Sequence, residues 1–259
     1  MERTESAMKV KGRDSAGRVA RSASPVRTVL MLAFWALALP FAAVSGIPWA
    51  YLTKSVAFLY RTCMWVAWNG VRIAGVKVQV LGREKFDPAR AYIFMSNHIS
   101  NLDPPIEIPL IPRRTSVMVK KELFKMPILG EIMRLGSLVP VDRGNRDAGI
   151  SAVREATKVL GTGISMMVYV EGGRSFDGRL LPFKKGPFYL AQECQVAIVP
   201  MTISGTERAM PKARFSIQPE LVTVRFHDPI EPADFGSREC LMSKVRAAIN
   251  SGLPADLQE

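Results

Sequence analysis

"AYIFMSNHISNLDPPIEIPLI", residues 91–111, decides the fold class. Its first seven residues are an apolar run of the length of a buried strand, and residues 103–111 have helical composition, opened by Asp103 and two prolines. The loop between them carries His98, one of only two histidines in the chain. A strand running through a short loop into a helix is the repeating unit of a parallel α/β sheet, whose ligands collect beyond the carboxyl ends of the strands. The pattern recurs on both sides. Strands are expected at 76–82, 116–120, 137–141, 164–172, 196–205 and 221–227, with helical stretches at 127–135, 145–160, 184–194 and 237–250. The expectation is an α/β domain over residues 75–259, its largely parallel sheet flanked by helices.

Residues 1–74 read differently. Residues 1–27 are polar and basic, without apolar periodicity, and are expected to be a disordered tail. No charged residue follows from Thr28 to Thr53, a length to be weighed as a membrane segment. Pro40 and the "SGIP" at 45–48 place a turn inside it, so the first helix, 28–45, would reach only about 27 Å, short of a roughly 30 Å hydrocarbon core. Residues 49–74 mix Trp49, Tyr51, Trp65 and Trp68 with Lys54, Arg61 and Arg72, a composition suited to the headgroup boundary. Basic residues flank the segment on both sides. Under the positive-inside rule both flanks belong in the cytoplasm, so residues 28–74 are expected to form a membrane-embedded helical hairpin on the cytoplasmic face of the cell membrane. A cleaved signal peptide and buried helices of a soluble protein are the competing readings.

Thirty-five Lys and Arg against 23 Asp and Glu give a formal charge of +12 and favour an anionic partner. Nucleic acid is disfavoured, because the aromatics concentrate in the membrane stretch instead of interleaving with basic residues for base stacking. Cys63, Cys194 and Cys240 are far apart and odd in number, which supports neither a disulfide framework nor a metal site.

An imidazole can take a proton from a hydroxyl, and a carboxylate on its other nitrogen fixes the tautomer. Asp103, five residues after His98, can fold back to meet it, although a capping aspartate beside an ordinary turn histidine accounts for the same spacing. Three other strand ends carry charge. "VYVEGGRSFDG" at 168–178 holds Glu171, Gly172 and Arg174 in a glycine-rich turn, "VPVDRG" at 139–144 holds Arg143, and "VKKEL" at 119–123 holds Lys121. Basic groups at neighbouring strand ends are placed to hold a phosphate. His227, in "RFHDPI", reads as structural.

Together these stretches resemble the glycerolipid acyltransferases of the 1-acylglycerol-3-phosphate acyltransferase type. Asn97, His98 and Asp103 match the family's first motif, "VPVDR" its second, "YVEGGRS" its third and Val199–Pro200 its fourth, over roughly residues 55–230. The third motif departs from the family at Val170, where proline is usual, and at Gly173, where threonine is. The resemblance implies that His98 is the general base on a free hydroxyl of a lysophospholipid, oriented by Asp103. It implies an acyl thioester donor, acyl-CoA or acyl carrier protein, with no covalent intermediate, metal or cofactor. Arg143, Arg174 and Lys121 would bind the acceptor phosphate, and Glu171 and Gly172 would shape its glycerol region. The product expected is phosphatidic acid, for phospholipid biosynthesis. Glycerol 3-phosphate or another lysolipid is the alternative acceptor, and a membrane-bound His/Asp thioesterase or lipase the alternative class.

Overall fold

The computed structural model describes residues 24–142, 146–211 and 216–259. Most of the basic tail, residues 1–23, and Arg143 lie outside the described residues.

Two long helices come first, α1 (Pro25–Thr53) and α2 (Ala57–Ile73). Ser24 caps α1 by accepting a bond from the Arg27 N–H at 3.4 Å, and Pro25 takes the first helical position, where the missing N–H costs nothing. The turn expected at "SGIP" does not form; α1 continues through Pro40 and Pro48 and reverses at Lys54, whose φ of 57° is left-handed. Helix packing explains the difference. A Cβ on Gly46 would lie 2.6 Å from Leu59 Cδ1, so the small residues of "SGIP" admit α2 instead of breaking α1. Gly70 admits the Trp35 indole in the same way, and Trp35 Nε1 donates to the Val66 carbonyl at 3.2 Å.

At about 1.5 Å per residue the 29 residues of α1 extend for about 43 Å, and both ends are fastened to the rest of the molecule. Near its start the Ser24 N–H donates to the Ile217 carbonyl at 2.9 Å, and the Ile217 N–H to Thr28 Oγ1 at 2.8 Å. Near its end the Tyr51 hydroxyl donates to Glu131 Oε1 at 2.5 Å. The hairpin therefore lies along the α/β domain.

Among the described residues seven strands follow: β1 (Lys77–Leu81), β2 (Ile93–Ser96), β3 (Thr115–Lys120), β4 (Val139–Val141), β5 (Ser165–Tyr169), β6 (Ile198–Ser204) and β7 (Leu221–Phe226). They form one sheet in the order β1-β7-β6-β2-β5-β3-β4. Neighbours run parallel except β6 and β7. The helices are α3 (Asp103–Leu110), α4 (Leu129–Leu135), α5 (Arg146–Gly161), α6 (Gly186–Cys194), the short α7 (Thr206–Ala209) and α8 (Arg238–Ser251).

Because strand side chains alternate, the central strands β2, β3, β5 and β6 feed two cores. Phe94 joins Met201, Phe226 and Ile106 on the face covered by α3 and the hairpin, where Met31 and Val71 are also buried. Ile93 and Met95 join Ala156, Phe188, Val245 and Ile249 on the other face. The hairpin thus completes one of the two cores. β2 lies between β5 and β6, so the loop after it opens at the middle of the sheet.

Candidate active site

The chain leaves β2 at Ser96 and starts α3 at Asp103, and most of the residues between are held by hydrogen bonds. Asn97 bridges to β6 with both ends of its amide: Oδ1 accepts from the Ile203 N–H and Nδ2 donates to the Ile203 carbonyl, each at 2.9 Å. The next residue, His98, donates its backbone N–H to Glu171 Oε1 at 2.9 Å and accepts from the Ser175 N–H at 2.8 Å. His98 is thereby fixed between the ends of β6 and β5 before its ring is considered.

The ring is fixed too. His98 Nδ1 lies 2.7 Å from Asp103 Oδ2, and the same oxygen accepts the N–H groups of Ile99 at 2.7 Å and Ser100 at 2.8 Å. The Asp103 carboxylate is thus both the cap of the loop and the partner of the imidazole, so the two sequence readings of this pair are one arrangement. With Nδ1 engaged by a carboxylate, the proton resides there and Nε2 presents its lone pair. The Tyr169 ring stacks on the imidazole at 4.0 Å between centroids and 21° between planes. Asp103 is fully buried and His98 is 9% exposed.

Two further buried carboxyl groups, Glu171 and Glu107, hold the backbone and the strand end beside His98. Glu171 Oε2 accepts the Leu181 N–H at 2.8 Å, so this carboxyl ties the His98 loop to residues 180–181. Burial raises its pKa to about 7, against the lowering effect of the two N–H donors. Glu107, one turn after Asp103 on α3, accepts from Ser96 Oγ at 2.6 Å. Burial first, and the nearby Asp103 second, hold Glu107 well above the usual carboxylate range. The Tyr169 hydroxyl couples electrostatically to Glu107 without hydrogen-bond geometry, and burial pushes it well above the usual phenol range. Sequence reasoning missed Glu107, Tyr169 and Ser96. The four-residue step from Asp103 to Glu107 on a helix was the one available signal.

The remaining expected residues spread along the sheet. Arg174, half-buried, follows β5, one strand from His98, and Gly172 turns that loop with a left-handed φ of 68°. Lys121 follows β3, a further strand away, and its ammonium pairs with Asp142 after β4. At about 4.8 Å per strand this row of loop residues spans on the order of 15 Å from β2 to β4, all at the carboxyl ends. His227 is placed elsewhere. It follows β7, which runs antiparallel to β6, and so lies toward the opposite end of the sheet. Its Nε2 is 2.8 Å from Thr202 Oγ1, and burial lowers its pKa to about 4, leaving it neutral.

The site therefore sets an imidazole against a buried carboxylate at a central strand end, with an arginine on the loop after the next strand. The fold is a largely parallel α/β sheet with a His-x4-Asp loop at a central strand end. The acyltransferase family profile matches residues 77–204. The 1-acyl-sn-glycerol-3-phosphate acyltransferase of Limnanthes douglasii is 35% identical over 192 residues, covering 73% of this chain and 66% of the relative. That of Cocos nucifera is 33% identical over 195 residues, covering 73% and 60%. The alpha form from Homo sapiens is 35% identical over 131 residues, covering 50% and 46%. The crystal structure of the 1-acyl-sn-glycerophosphate acyltransferase PlsC from Thermotoga maritima superposes with a TM-score of 0.76 at 26% identity, over 88% of this chain and 93% of that one. The chain belongs to the acyltransferase family and shares the fold of PlsC. It spans two thirds or less of the length of these plant and human relatives.

Proposed function

We propose that this chain transfers an acyl group from a thioester of coenzyme A or acyl carrier protein to the free hydroxyl of 1-acyl-sn-glycerol-3-phosphate, giving phosphatidic acid. The observation that carries the reading is the His98–Asp103 pair at 2.7 Å on the central strand end. His98 Nε2 removes the hydroxyl proton as the acceptor oxygen attacks the thioester carbonyl. The tetrahedral adduct expels the thiolate, which takes the proton back from the imidazolium; Asp103 stabilises that cation while it lasts. Arg174, with Arg143 and Lys121, holds the acceptor phosphate, and Glu171 and Gly172 shape the loop beside the glycerol. The similar proteins named for this activity, among them those from Limnanthes douglasii and Thermotoga maritima, support the choice of acceptor.

The acceptor lies in a membrane leaflet and the thioester in the cytosol, so the enzyme works at their boundary. α1 is long and apolar enough to cross a membrane, and only 22% of its most apolar window is buried. Leu37, Phe41, Val44 and Leu52 are more than 70% exposed. Since both ends of α1 are tied to the α/β domain, the helix lies in the leaflet with this face toward lipid, entering from the cytoplasmic side. The test is an acyl-transfer assay of the purified chain offering lysophosphatidate, glycerol 3-phosphate and lysophosphatidylcholine with each thioester. Phosphatidate from lysophosphatidate is the expected product; thiol release without acylated acceptor would establish a thioesterase.

A further inference from the structure

The hairpin tip carries a second, cationic site at the opposite end of the sheet from His98. A cavity of about 670 Å³ lies between the α1–α2 turn and the segment joining α3 to β3, and Lys54, Arg61, Arg113 and Arg114 line it, with no acidic residue among its lining. Thr115, which opens β3, pairs with Ser165 at the start of β5, whereas Ser96 pairs with Tyr169 at its end. The cavity and His98 are therefore separated by the length of a strand, about 13 Å for four residues.

Two of its four basic side chains are fixed in place, and no carboxylate lies among its lining. Arg113 directs its donors to the Ala89 and Gly163 carbonyls at 2.6 and 2.5 Å, and Arg114 to the Leu135 carbonyl and Ser137 Oγ at 3.1 and 2.9 Å. These acceptors are neutral. Lys54 and Arg61 are exposed at the cavity mouth. α2 begins there as well, with Val56 supplying no side-chain cap, so the positive end of a 17-residue helix faces the same space. Lys54 occupies a left-handed position where glycine is the easier residue, so the charge is held at some conformational cost.

A second cavity of about 600 Å³ continues from the first. The two share Ser55, Ala57 and Arg61, and the second runs between α1 and α2 along Trp49 and Phe58, whose rings are 6.3 Å apart and both open to the outside. A cationic chamber beside an apolar slot that opens outward matches an amphiphile with an anionic head. A soluble anion fills only the first chamber.

We propose that this paired cavity binds an anionic membrane phospholipid, phosphate among Lys54, Arg61, Arg113 and Arg114 and acyl chain between α1 and α2, as a non-catalytic lipid site that seats the hairpin tip at headgroup level. The proposal does not depend on the acyl-transfer reading. Its test is native mass spectrometry of the detergent-purified full chain with equal amounts of phosphatidylglycerol and phosphatidylcholine. The native chain should retain phosphatidylglycerol about tenfold more strongly, and Lys54→Gly with Arg61→Gln should abolish that preference. Glycine suits the Lys54 backbone, so this variant keeps the turn. Phe58→Ala should weaken retention of both lipids, and His98→Ala should change neither. Equal retention of the two lipids by the native chain, an undiminished preference in the double variant, full displacement by millimolar inorganic phosphate, or loss in His98→Ala would each overturn the proposal.

Discussion

Asp103 Oδ2 meets three donors at once, the His98 ring and two backbone N–H groups, and that convergence sets what each neighbouring residue can do. Glu107 sits one turn behind it. Burial first, and the charge of Asp103 second, hold Glu107 well above the usual carboxylate range. Glu107→Gln, neutral and the same length, should keep near-native activity and melting temperature. Glu107→Ala leaves the Ser96 hydroxyl without its acceptor and should cost about 2 to 3 kcal/mol in denaturant unfolding. Glu171 gives a pH prediction with a definite sign. Its pKa rises from 4.5 to about 7 on folding, so the folded chain binds more protons across that window and loses stability as pH rises through it. Glu171→Gln should therefore gain on the native chain by up to roughly 3 kcal/mol between pH 4.5 and 7, measured from urea midpoints; a pH-independent difference would contradict the assignment. At this scale the sequence made His98, Asp103 and the charged strand-end loops legible, because spacing and turn chemistry are local. Tyr169 against the imidazole was not legible, since stacking across two strands depends on register that no local pattern records.

The elements were legible where apolar period and length agree. All seven strands and the longer helices of the α/β domain fall within a few residues of the expected stretches. The hairpin shows where such reading stops: glycine and proline at 45–48 signal a turn locally, yet the close approach of Leu59 to Gly46 makes them a helix-crossing point. Proline's lost hydrogen bond is tolerated because the tertiary contact outweighs it. Gly70→Ala tests the same packing. Its Cβ would lie 2.0 Å from Trp35 Nε1, so the indole must move and give up its bond to the Val66 carbonyl. A loss of about 1 to 3 kcal/mol in thermal unfolding of the detergent-purified chain is expected, with His98-dependent chemistry retained below the transition.

At the scale of the whole molecule, the hairpin and the catalytic sheet are one body. Met31, Val71 and Ala74 share a core with Phe94 and Phe226, so deleting residues 1–74 should expose that face and give an insoluble or unfolded chain in place of a soluble enzyme. A folded, soluble product of that deletion would show that the hairpin is an appendage after all. Within that one body, α1 exposes Leu37, Phe41, Val44 and Leu52 along one face, and the sheet's carboxyl end holds His98 next to the loop that carries Arg174. The central claim is that His98 serves as the base for acyl transfer to a lysolipid hydroxyl. Its most direct measurement is turnover of lysophosphatidate and an acyl thioester by the native chain and by His98→Ala, each shown folded by circular dichroism and read as phosphatidate formed per thiol released. The native chain should give one phosphatidate per thiol and His98→Ala should be slower by about 10² to 10⁴-fold. Near-native turnover in His98→Ala, or thiol released without phosphatidate, would contradict the account.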